Sequence, residues 1–157
     1  DRRSIQAWIA AHGRGVKVRV LLDPNKDACG RTKNGIPNRP VAAELHRAGI
    51  DVRWCNTQGE QCHSKMLLKR SMYNSEIILG SANFTARNLK NYNLETNLRV
   101  VGHANAKVFT DATQYFERAW HNQDGQKHSV DYAQYADEST LKYVLYRVME
   151  WTGLSTF

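Results

Sequence analysis

The sequence predicts an α/β fold, a mixed and largely parallel sheet flanked by helices on both faces, and three observations predict it. A helix-like segment ending in glycine is followed by a strand-like one, and the pattern then repeats. The apolar runs are short enough to be strands. Two longer stretches near the end of the chain place apolar residues at helical spacing.

Residues 4–12 (SIQAWIAAH) set Ile5, Trp8 and Ile9 on one helical face, and Gly13 and Gly15 stop the helix. Val16 to Leu22 (VKVRVLL) alternates apolar and basic residues as a strand does, and Asp23-Pro24-Asn25 ends it. From Asp23 to Pro40 the chain holds all three of its prolines and reads as a long loop, suited to lining an entrance. Val41 to Ala48 is a short helix closed by Gly49, and Ile50 to Trp54 (IDVRW) alternates as a second strand.

His63 to Lys69 and Glu76 to Leu79 read as two strands of a hairpin joined by the polar turn 70–75. Gly80 to Tyr92 is a loop rich in Asn, Ser and Arg, and Asn93 to Val101 is a further strand. Ala104 to Trp120 aligns Val108, Ala112, Tyr115, Phe116 and Ala119, and Thr140 to Trp151 aligns Leu141, Val144, Leu145 and Val148; both are expected to be packing helices. The first recognisable element is a helix, whereas a parallel sheet normally starts with the strand that feeds its first crossover. The single domain 1–157 is therefore expected to be one half of something longer, with its first strand missing.

The 157 residues, 41% of them apolar, suffice for one hydrophobic core. A formal net charge of +7 favours anionic partners: phosphodiesters, nucleic acids or acidic lipid surfaces. The basic residues are scattered and never form a run of five or six, so a basic nucleic-acid-binding tail is not indicated. No apolar stretch reaches the ~20 residues of a membrane span. Localisation is open, with export or a peripheral membrane position compatible with the composition.

Three cysteines are too few for a disulfide scaffold and lack C-x-x-C zinc spacing. Cys55 and Cys62 can close a short loop in an oxidising compartment, which leaves Cys29 unpaired or bonded outside this sequence. No compact His, Cys or carboxylate cluster calls for a metal, and no cofactor is expected.

The residues that carry chemistry lie between positions 63 and 95. In a strand, residues i and i+2 share a face about 7 Å apart, so His63 and Lys65 would meet one substrate. Histidine titrates near neutral pH and can take phosphorus or shuttle a proton. Lysine supplies fixed positive charge to oxygens that become more negative in a transition state. Gly80-Ser81-Ala82-Asn83-Phe84 presents a hydroxyl and an amide from a turn. Glu95, expected on the next strand, is placed to bond the far ring nitrogen of His63 and fix its tautomer. Arg87, Lys90 and Tyr92, in the loop after Asn83, are candidates for touching substrate. His12, His46, His103, His121 and His128 sit near helix ends or in loops and read as caps or solvated residues, while Trp8, Trp54, Trp120 and Trp151 read as core or interface aromatics. Each candidate also has an ordinary structural reading: a turn amide for Asn83, a cross-strand ion pair for Glu95.

The order H-S-K (His63 to Lys65), G-S-A-N-F (Gly80 to Phe84) and N-L-E (Asn93 to Glu95) resembles the phospholipase D superfamily, whose signature is H-x-K-x-x-x-x-D followed by G-S-x-N. The upstream stretch is similar too: a helix, R-G-V-K-V-R-V-L-L-D, a variable loop, a helix ending in A-G-I, and a strand leading to the histidine. The resemblance spans residues 4–122. One position departs from it, since Arg70 stands where the family carries aspartate, with Lys69 beside it.

What the resemblance implies is a phosphodiester hydrolase or transferase that works without a metal through a phosphohistidine. His63, Lys65, Ser81, Asn83 and Glu95 would be its catalytic residues, and Arg87 and Lys90 would bind substrate. Family members pair two such motifs, in one chain or across a homodimer, so a second motif from a missing half or another copy is implied. In a second half, His63 would serve more as acid and base than as nucleophile. The substrate would be a phospholipid or a similar diester. A metal-independent nuclease of the same superfamily, or a catalytically silent module that binds anions, stands beside that reading.

Overall fold

The structure is a computed structural model that describes residues 1–28, 31–90 and 92–152. Helix α1 (Arg2–Gly13) starts where the Asp1 carboxylate accepts from the Ser4 amide, and it buries Ile5. Strand β1 (Arg19–Leu22) follows, then a small hairpin of β2 (Asp27–Ala28) and β3 (Arg31–Thr32). Helix α2 (Asn38–Arg47) begins three residues before the position its apolar pattern suggests, because Pro40 is tolerated in a first turn whose amides need no partner. It ends where Gly49 takes φ +84° and the Ile50 amide returns to the Leu45 carbonyl.

Strand β4 (Asp51–Cys55) pairs parallel with β1 and antiparallel with β8 (Ser129–Asp131), a strand too short to stand out in the sequence. Around these strands lies the core of Ile5, Ala42, Leu45, Ile50, Val52, Trp54 and Val130. Trp54 is fully buried; its indole N–H donates to the Tyr132 carbonyl at 2.8 Å, and its ring stacks on that of Tyr132.

A second sheet contains β5 (Met66–Lys69), β6 (Asn74–Gly80) and β7 (Asn97–His103), all antiparallel. Helix α4 (Lys107–His121) packs on it through the fully buried Phe109, whose ring faces Gly102. The same helix is tied to β1, since Arg19 forms a two-pronged ion pair with Glu117 and lies 5.0 Å over the Phe116 ring. The expected hairpin of β5 and β6 is present.

The α/β class stands, but among the described residues the strands form two three-stranded sheets and one hairpin, and β1 with β4 is the single parallel pairing. The expectation of a largely parallel sheet came from the helix-strand alternation, which holds only through residue 55. The two late helices do pack on the body of the protein, but the faces expected to do so are corrected. In α4, Ala112, Phe116 and Ala119 are half-buried while Val108 and Tyr115 are exposed. In α5 (Thr140–Thr152) the predicted face of Leu141, Val144, Leu145 and Val148 points outward, and Tyr146 on the opposite side is the buried residue. Periodicity identifies a helix and its apolar stripe without saying which side meets the body of the protein. No helix among the described residues is long and apolar enough to cross a membrane.

Candidate active site

The ends of the two parallel strands feed one open cleft of about 1160 Å³. After Leu22 at the end of β1 comes Asp23, and Cys55 is the last residue of β4; Leu22 and Trp54 are register partners, so both strands end at one level. The Asp23 carboxylate accepts from the Asn25 amide at 2.7 Å and, with its other oxygen, from the Cys62 amide at 2.7 Å. Cys55 is bonded to Cys62, so the disulfide that the sequence allowed is present and closes the loop 56–61. Cys29 lies outside the described residues. His63 follows immediately.

His63, Lys65 and Asn83 line this cleft together, as do Arg87, Lys90 and Tyr92. His63 is exposed, and no hydrogen bond to its ring is found among the described residues. The expectation that His63 and Lys65 lie within a strand is corrected, because β5 begins at Met66. The apolar run Met66-Leu67-Leu68 supplies the side chains that half-bury the strand, and the polar residues before it stay in the loop. The lysine folds back instead, and Nζ donates to the His63 carbonyl at 2.6 Å. An ammonium has three donors, which leaves two for other acceptors. Burial lowers the Lys65 pKa below the ordinary lysine value, against which the nearby Glu95 carboxylate acts.

Gly80 ends β6 against β7 so closely that an added Cβ would lie 2.7 Å from the Asn97 Cα. Beyond it the Ser81 amide donates to the Thr96 carbonyl at 3.0 Å and the Ala82 amide to the Asn97 side chain at 3.3 Å. The Ser81 hydroxyl donates to Glu95 and accepts from the Thr96 amide at 2.9 Å. Ser81 and Glu95 do not line the cleft. Asn83 is half-buried beside Phe84, whose ring meets Trp8 of α1 edge-on at 5.7 Å.

Glu95 departs from expectation twice. It precedes β7, which starts at Asn97, and its oxygens accept from Ser81 and from the Asn88 amide rather than from His63. Those two donors, Ser81 first, hold its carboxyl below the usual carboxylate range. A carboxylate takes the donors that its own loop brings within reach.

Asn88 was not singled out from the sequence. It is 7% exposed in the short helix α3 (Ala86–Leu89), where the Thr85 hydroxyl donates to its side-chain carbonyl at 2.6 Å and accepts from its amide. The spacing T-A-R-N is the legible signal, a threonine cap with a side-chain partner three residues on. Asp23 marks the end of a strand and the start of a loop in the sequence, and its residue type there is well suited to hold loop amides.

The remaining candidates sort by burial. Arg87 bonds the Asn93 side chain through Nε at 3.1 Å, and Arg70 is exposed after β5. The other five histidines do not line the cleft. Trp54 is core, whereas Trp151 is 87% exposed at the cleft margin.

The family model described as "Cardiolipin synthase, PLD-like domain" matches residues 1–120, well over half of the chain. The chain belongs to that phospholipase D-like family. No curated protein matches it.

Proposed function

We propose that this phospholipase D-like chain is one motif-bearing half of a metal-independent phosphodiester hydrolase or transferase, with a phospholipid or similar diester as substrate. The observation that carries the reading is the common cleft of His63, Lys65 and Asn83, with Arg87 and Lys90 on its wall. A diester phosphate held there meets an imidazole free to react, an ammonium and an amide.

A second H-x-K motif, from another segment of the protein or from a second copy, completes the site. One imidazole attacks phosphorus, forming an N–P bond as the P–O bond to the leaving group breaks, and the other gives its proton to the leaving oxygen. Water then attacks phosphorus, passes a proton to the second imidazole, and the N–P bond breaks. His63 takes the acid-base role in a two-motif chain and both roles in a symmetric pair. Lys65 and Asn83 stabilise the phosphoryl oxygens, and Glu95 supports the site through Ser81 and Asn88. The Cys55–Cys62 bond supports an oxidising location, as for an exported protein.

The test is release of product from phospholipids and aryl phosphodiesters by the whole protein, with a chelator present. Turnover that falls by about 10³-fold or more in His63→Ala is expected. A folded wild type that releases nothing from any diester refutes the proposal. Cleavage of DNA under chelator, with lipids untouched, would favour the nuclease reading. Arg70, exposed where the family carries aspartate, favours a second reading, a silent anion-binding module. Phosphate binding that survives His63→Ala, with no turnover in the wild type, would establish it.

A further inference from the structure

The reacting imidazole proposed above is exposed and its ring is held by no hydrogen bond among the described residues, so its position depends on its backbone. That backbone leaves no regular element: β4 ended eight residues earlier, and β5 has not begun. Two anchors nevertheless meet at the preceding residue. The Cys62 amide donates to Asp23 at 2.7 Å, and its side chain is bonded to the buried Cys55. Asp23 and Cys55 lie at the carboxyl ends of β1 and β4, adjacent parallel strands, the place where parallel sheets position ligands. Asp23 is itself oriented, because its other oxygen accepts from Asn25, and its carbonyl accepts from the Asn38 side chain at 2.9 Å.

We infer that Asp23 and the Cys55–Cys62 disulfide are positioning residues, a two-point clamp on residue 62 that fixes the His63 backbone at the cleft. This rests on the phosphodiesterase reading for its catalytic consequence, though not for the clamp. One anchor is a hydrogen bond from the backbone amide to a carboxylate, the other a covalent bond; together they restrain both the amide and the side chain of one residue. A loop with one anchor swings about it, while a loop with two has a defined exit direction. Displacement of a reacting group by about 1 Å can cost about 100-fold in rate.

The experiment compares the wild type with Asp23→Ala, Asp23→Asn and the double variant Cys55→Ser/Cys62→Ser in the whole protein. Thermal unfolding confirms that each is folded. Amide hydrogen exchange at residues 62 and 63 reads the clamp, and kcat, KM and the pH profile on an aryl phosphodiester read its consequence. Asp23→Ala and the double variant are expected to speed exchange at residue 62 by about 10-fold or more. The same variants are expected to lower kcat by about 10- to 100-fold with KM nearly unchanged. Asp23→Asn, which keeps one acceptor oxygen, is expected to fall between wild type and Asp23→Ala, with the pH profile in place. Unchanged exchange at residue 62 in folded Asp23→Ala overturns the inference. So does a limb of the pH profile that vanishes in Asp23→Asn, which would make Asp23 a proton-transfer group. Faster exchange in the variants of a protein that hydrolyses no diester would sustain the clamp and defeat the phosphodiesterase reading alone.

Discussion

Replacing Trp54 tests how the core beneath the cleft is held, because this residue lies in β4, the middle strand of its sheet, one position before Cys55. The side chain is fully buried, donates to the Tyr132 carbonyl at 2.8 Å, and meets the rings of Tyr132 and Tyr135, each with its centroid 6.3 Å away. Trp54→Phe keeps most of the ring but removes the indole donor from that carbonyl and leaves part of the indole space empty. The lost hydrogen bond, about 0.5–1.5 kcal/mol, together with the unfilled space makes a loss of about 2 kcal/mol the expected result. In a chain of this size that lowers Tm by about 4–8 °C. Trp54→Ala removes the ring contacts as well and should cost about 3–5 kcal/mol. Urea unfolding followed by circular dichroism measures both, with an unchanged m-value showing that stability alone has moved. Equal losses in the two variants, or a loss under about 0.5 kcal/mol in Trp54→Phe, would refute the reasoning that the indole N–H and the ring contribute separately.

Lys65 supplies a pH dependence. Its folded pKa is depressed by burial, so at alkaline pH the unfolded chain binds the proton more tightly, and this group's contribution to stability rises with pH from the depressed value toward the ordinary lysine value of about 10.4. Catalysis that needs the ammonium must then fall at a pH below that ordinary value, and Glu95→Gln, which removes the opposing charge, should shift the fall lower still. A pH–rate profile with its alkaline limb unmoved by Glu95→Gln would contradict this. Gly80→Ala sets a Cβ against the backbone of Thr96 and Asn97, and a loss of about 1–3 kcal/mol is expected by thermal unfolding; full stability would mean that β6 and β7 part easily. Asn88→Ala takes one donor from Glu95, so the Glu95 carboxyl should titrate at higher pH, which NMR of the side-chain carbon reads directly.

What the sequence determined by itself was local or compositional. The helices at α1, α2, α4 and α5, the strands near β1, β4 and β6, and the motif residues His63, Lys65 and Asn83 follow from periodicity and from residue types whose chemistry travels with them. Even the Cys55–Cys62 pair was open to reading, because seven positions of separation set it apart. Tertiary structure alone decided which donors Glu95 would find, that Lys65 would bend onto the His63 carbonyl, and that Asp23 would hold the amide of residue 62. It also decided that the apolar stripe of α5 faces outward. Each of these depends on contacts between segments distant in sequence or on the path of a loop. Periodicity reports the face of an element, but the partner of that face is chosen by the packing of the whole chain.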